Sequence, residues 1–179
     1  MVDAKALPRW AGWVRFFHWT TVILLALVWG LIALHEATED AAGLYISLHK
    51  ATGVLLFWWV LARFINRLVQ RRLDPVDVPM PLWQARMAHL THSLLYVLLL
   101  MMPLAGVLMT QYGGRATSFF GLFEIPLLVI PDKSTGRFFH DLHTDILWPL
   151  LLVLTAAHVG AALYHQLVLK DQLLQRMKP

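Results

Sequence analysis

Apolar residues dominate four stretches of the chain, about 16–34, 47–66, 88–110 and 144–168, and polar clusters separate them. Each stretch is near the roughly 20 residues that cross a hydrocarbon core as helix. The pattern predicts an all-α membrane protein, a single domain over 1–179 built as a four-transmembrane-helix bundle. Basic residues ahead of the first stretch resemble the start of a secretory leader. That stretch is longer than a leader's apolar core and lacks a small-x-small cleavage site, so we expect it to be a span.

The connections are unequal. Residues 35–46 (HEATEDAAGLYI) form a short acidic link. Residues 67–87 hold Pro75, Pro79 and Pro81 and are predicted to be an extended linker. The longest, 111–142, has Gly113, Gly114, Pro126 and Pro131 around an apolar run, and is predicted to lie as a cap at the membrane interface. Pro103 is expected to kink the third helix.

Charge orients the bundle. With the N-terminus inside, the inner segments hold Lys5, Arg9, Arg15, Arg63, Arg67, Arg71, Arg72, Arg86, Lys170, Arg176 and Lys178; the outer ones hold Lys50, Arg115, Lys133 and Arg137. That is 11 basic residues against 4, a positive-inside bias that places both termini in the cytoplasm.

Composition agrees with a membrane: 58% hydrophobic and 15% charged, against about 45–50% and 25% for soluble domains. A net charge of +4 could suggest nucleic acid. The basic residues flank spans instead of forming a continuous stripe, so no nucleic-acid partner is expected. The chain has no cysteine. That excludes disulfides, thiolate iron–sulfur clusters and covalent haem attachment through C-x-x-C-H.

The chemistry is carried by histidine. Ionisable side chains within a bilayer are costly and mark functional sites, and histidines on facing helices are a usual way to hold haem iron. His18 enters the first span from inside, and His158 lies toward the inner end of the fourth. His49 begins the second span from outside, and His143 begins the fourth. Matched by depth, His18 faces His158 and His49 faces His143, giving sites for two non-covalent b haems. His143 and His158 are 15 residues apart, roughly 22 Å of rise and about 60° of rotation. His140, on the same stripe, is an alternative outer ligand.

Two protein ligands per iron leave no open position for substrate, which suits outer-sphere electron transfer. Gly53 and Gly160 serve either close approach of a flat macrocycle or ordinary helix packing. Arg63 and Lys50 either snorkel to the interface or pair with haem propionates. His89 and His92 form H-x-x-H, a weak metal motif, better suited to propionate or quinone contact or to interfacial solvation. His165 is similar, and His35 is expected in a loop. Most tryptophans read as interface belt or packing. The competing reading of every membrane histidine is an interhelical hydrogen bond without haem.

The chain resembles the bacterial cytochrome b561 family over nearly its whole length. The resemblance runs through RFFHW at 15–19, LHKATG at 48–53, LARFINRL at 61–68, MAHLTH at 87–92, PLAGVLM at 103–109 and AAHVGAALYHQLVLKD at 156–171. It implies a four-helix bundle in the bacterial inner membrane with two b haems, His18 and His158 as the inner pair and His49 as an outer ligand. Family members usually place the last ligand about fourteen residues before the inner one and follow it with an acidic residue. Here His143 is followed by Thr144 and the spacing is one longer, so both His143 and His140 stand. The family often shows a histidine pair where this chain has His165 and Gln166.

By resemblance, the expected function is electron transfer between a periplasmic donor and membrane quinone, with superoxide oxidation the best-defined family activity. Capture of an anion needs local positive charge. The outer segments nevertheless carry Glu36, Glu39, Asp40, Glu124, Asp132, Asp141 and Asp145 against four basic residues, a net of −3. The alternative is a non-catalytic subunit relaying electrons for a separate periplasmic dehydrogenase or soluble cytochrome, with the acidic cap as docking surface.

Overall fold

The computed structural model describes residues 9–73 and 80–178, with no side-chain description for 70–73. Lys5, Pro75 and Pro79 lie outside the described residues, as do the side chains of Arg71 and Arg72. Four helices are long and apolar enough to cross a membrane. They are α1 (Gly12–Ala37), α2 (Ala42–Leu73), α3 (Leu82–Tyr112) and a composite last span, Lys133–Leu169. The last span comprises α4 (Lys133–Asp141), a π-helical turn (Leu142–Leu147), α5 (Trp148–Tyr164) and a second π-helical turn (His165–Leu169).

Helical hydrogen bonding outruns the apolar stretches. The expected extended linker 67–87 is helical up to Leu73 and again from Leu82. Pro81 caps α3 where its missing N–H costs nothing. The last span also begins earlier than the apolar run, because Asp132 accepts from the Thr135 backbone N–H and starts a turn in a polar segment. The remainder of the expected cap is an antiparallel hairpin, β1 (Thr117–Phe119) with β2 (Phe123–Ile125), in register Ser118 with Glu124. Phe120 and Gly121 both take positive φ at its tip, which matches the right-handed twist of the strands. Gln111 ties the cap to α3, donating to the Pro126 carbonyl and accepting from the Leu128 N–H.

The helices pack α1 on α2, α2 on α3, and α3 on both α4 and α5. The core comprises Leu56, Val60, Leu98, Leu99, Ala105, Leu147 and Leu151. Outward faces stay apolar: Ile23 is 64% exposed and Val153 65%. A continuous apolar exterior of this kind is covered by lipid. α5 has little direct backbone contact with α1, and the two meet through rings, Trp29 on Trp148 and His18 on His158.

At the end of the bundle holding both termini, the C-terminal segment straps across α1. Arg15 donates to the Lys178 carbonyl at 2.7 Å and Trp19 to the Met177 carbonyl at 2.6 Å. The guanidinium groups of Arg67 and Arg176 both pack on the Trp10 ring, 5.3 and 5.2 Å from its centroid. This tryptophan and Trp19 therefore fasten chain segments together, the packing role of the two expected of them.

Candidate functional site

Two histidine pairs face each other across the bundle at different depths. Toward the termini end, His18 of α1 and His158 of α5 have ring centroids 6.3 Å apart, planes crossing at 68°. Toward the hairpin end, His49 of α2 and His143 of the first π-helical turn stand 6.4 Å apart at 87°. All four rings are half-buried.

The hairpin-end pair is held by backbone. His49 Nδ1 lies 3.1 Å from the Val28 carbonyl and His143 Nδ1 2.9 Å from the Met102 carbonyl. A carbonyl only accepts, so both neutral rings carry the proton on Nδ1 and leave Nε2 bare. Gly106, one turn past Met102, makes this possible: a Cβ there would come 3.1 Å from His143 Cε1. Sequence reasoning passed over this glycine. At Gly53 and Gly160, which it singled out, a Cβ would meet nothing within 4 Å, so neither supports a close helix contact.

Side chains hold the termini-end pair. Arg63 of α2 donates to His18 Nδ1 at 2.9 Å and lies 5.5 Å from the Tyr96 ring centroid. It is turned inward instead of snorkelling. Because a guanidinium always donates, His18 Nδ1 accepts and the neutral ring carries its proton on Nε2. His92 of α3 packs its ring 5.3 Å from that of His158. The H-x-x-H motif is thus split: His92 joins this cluster, while His89 sits on the exposed side of α3. Among the described residues, no group of three or more histidine or acidic side chains is arranged to hold a bare metal ion.

His140 points elsewhere. It contacts Asp141 and lines a surface cavity of about 250 Å³ with Arg115, Lys133 and Arg137. His143 lies in the π-helical turn Leu142–Leu147, which holds one residue more than an α-helical turn would. Such turns absorb an inserted residue inside an α-helix and recur at functional sites. His35, expected in a loop, lies in the last turn of α1, because helical hydrogen bonding runs on to Ala37, and its ring is within hydrogen-bond distance of the Ala42 carbonyl. His165 pairs with Asp171 at the end of the last span.

A membrane-spanning helical bundle with histidine pairs half-buried between its helices, in a chain without cysteine, is an arrangement suited to non-covalent haem, as in membrane b-type cytochromes. A sequence profile described as prokaryotic cytochrome b561 matches residues 9–179, and the chain belongs to that family. It is similar to cytochrome b561 homolog 1 of Escherichia coli K12, 33% identical over 171 residues, covering 92% of this chain and 93% of the relative. Homolog 2 of the same organism is 30% identical over 177 residues, covering 90% and 86%. A protein named probable superoxide oxidase CybB, from Yersinia pestis, is 26% identical over 169 residues, covering 90% and 91%. The chain is accordingly a multi-pass electron-transfer protein of the bacterial inner membrane, and its family implies b-type haem.

Proposed function

We propose that this single domain carries two b haems, one between His18 and His158 and one between His49 and His143. It passes electrons from a periplasmic donor, superoxide, to membrane quinone. The observation that carries the reading is the spacing of the two pairs. Two metal–nitrogen bonds of about 2 Å, with roughly 1.2 Å from each nitrogen to its ring centre, put paired imidazole centres about 6.4 Å apart. Both pairs stand at that separation.

The residues fit the group. His49 and His143 offer bare Nε2 atoms, with Nδ1–H committed to carbonyls as is usual for metal-bound histidine. His18 must exchange its Nε2 proton for metal, which requires Arg63 to release Nδ1 and turn to another acceptor, a propionate. Lys50, beside His49, offers the same partner at the other site. The haem supplies one-electron chemistry, and two protein ligands per iron keep substrate off the metal.

The positive-inside count supports cytoplasmic termini and a periplasmic hairpin end. Superoxide is supported by Arg115, Lys133 and Arg137, which line one cavity with His140 and supply a local positive field within an acidic surface. Asp141 pairs with Arg137 at 2.9 Å and offsets part of it.

The test is stopped-flow reduction of the purified protein. Superoxide should reduce the haems rapidly, with turnover that requires quinone and a rate that falls with salt. Slow reduction by superoxide, with fast reduction by a periplasmic dehydrogenase or soluble cytochrome, would replace it with the relay reading.

A further inference from the structure

The two pairs are partnered in opposite ways. The rings of His49 and His143 each meet a backbone carbonyl, whereas the His18–His158 pair meets Arg63 from α2 and His92 from α3. A carbonyl accepting Nδ1–H makes an imidazole a better electron donor and favours ferric iron. A cation close by in a low-dielectric region disfavours the added positive charge of ferric iron, and so favours ferrous. Among the described residues, Arg63 has no acidic side chain to cancel it, and on a propionate it would offset a negative charge that otherwise favours ferric iron. At the hairpin end Arg115 is exposed and Lys50 is less buried than Arg63, so water and salt weaken these cations more.

We infer that Arg63 raises the reduction potential of the iron held by His18 and His158 above that of the iron held by His49 and His143. This rests on the two-haem reading. Arg63 is then a positioning residue for the electron. One electron leaves the hairpin-end iron, ferrous becoming ferric, and reduces the termini-end iron from ferric to ferrous. The transfer runs downhill, and a quinone finally takes up two such electrons with two protons. The asymmetry would give the bundle a direction.

Optical redox titration of the whole protein tests this, with His158→Ala used to assign the termini-end component as the one that disappears. In the wild type that component should be the higher of the two. Arg63→Gln should lower it about tenfold in its reduction equilibrium, about 59 mV for one electron, while the other component stays in place. Arg63→Lys should restore most of the difference. The proposal fails if Arg63→Gln moves neither component, moves both equally, or raises the termini-end one. A rise would mean that the guanidinium holds His18 as an imidazolate. If Arg63→Gln fails to retain haem, the wild type still decides: a termini-end component lying below its partner overturns the idea. Absence of two b-type components would instead sink the two-haem reading itself.

Discussion

The ring of His143 stands 6.4 Å from that of His49 and crosses it at 87°, while His140, less than one turn earlier, lines a surface cavity with Arg115 and Arg137. The two candidates therefore have separable roles. His143→Ala should remove one of two haems, read as loss of half the b-type absorbance per protein. His140→Ala should keep both haems and slow only the reduction by an anionic donor. Equal haem loss in the two variants would return the ligand assignment to an open choice.

Gly106 lies against that same ring. A methyl at this position would approach His143 Cε1 to 3.1 Å, so the ring must shift and loosen its bond to the Met102 carbonyl. Disturbing such a supporting contact typically costs on the order of 10–100-fold in metal affinity. Gly106→Ala should therefore titrate with haem as one tight and one weakened site. Two undisturbed sites would show that the helices can yield by the few tenths of an ångström needed.

The four spans and the pairing of histidines by depth were legible in the sequence because hydropathy and helical rise are local properties. What escaped it was set by tertiary contact. Nothing in the neighbourhood of Met102 marks its carbonyl as the acceptor for a ring 41 positions later. His92 looked like half of a local motif until α3 and α5 brought it against His158. The early start of the last span was hidden because residues 133–143 (KSTGRFFHDLH) are too polar for a hydropathy window. One signal did mark it: Asp132, a favoured N-cap residue, just ahead of that segment. The net acidity of the outer segments was correct as a count, but did not foresee three basic side chains meeting at one cavity.

Asp132 carries a pH dependence of its own. Hydrogen bonds from Thr135, side chain and backbone, and from Ser134 hold its carboxylate down to about 2, from a usual 3.8. A depressed folded-state value means the contribution is complete above the unfolded value and is lost as pH falls toward the folded one. Wild type should therefore melt above Asp132→Ala near neutral pH, with the gap closing between about pH 4 and pH 2. A gap that persists unchanged at pH 2 would show that the carboxylate's charge is not what starts α4.

The π-helical turn Leu142–Leu147 yields the least intuitive prediction. Deleting one residue from an α-helix rotates everything beyond it by about 100°, which normally destroys a buried site. Here the turn already holds one residue more than an α-helix needs, and its i→i+5 bonds are poorer than the α-helical ones that could replace them. Deleting Thr144 should let the turn relax to α-helix while His143 stays opposite His49, fourteen residues before His158. The expected result is a protein with both haems and equal or greater thermal stability. By contrast, deleting Val153, within the regular helix of α5, should misalign the pairs and cost a haem. Loss of haem in both deletions would mean that the π-helical turn orients His143 by its own shape, not by absorbing an extra residue.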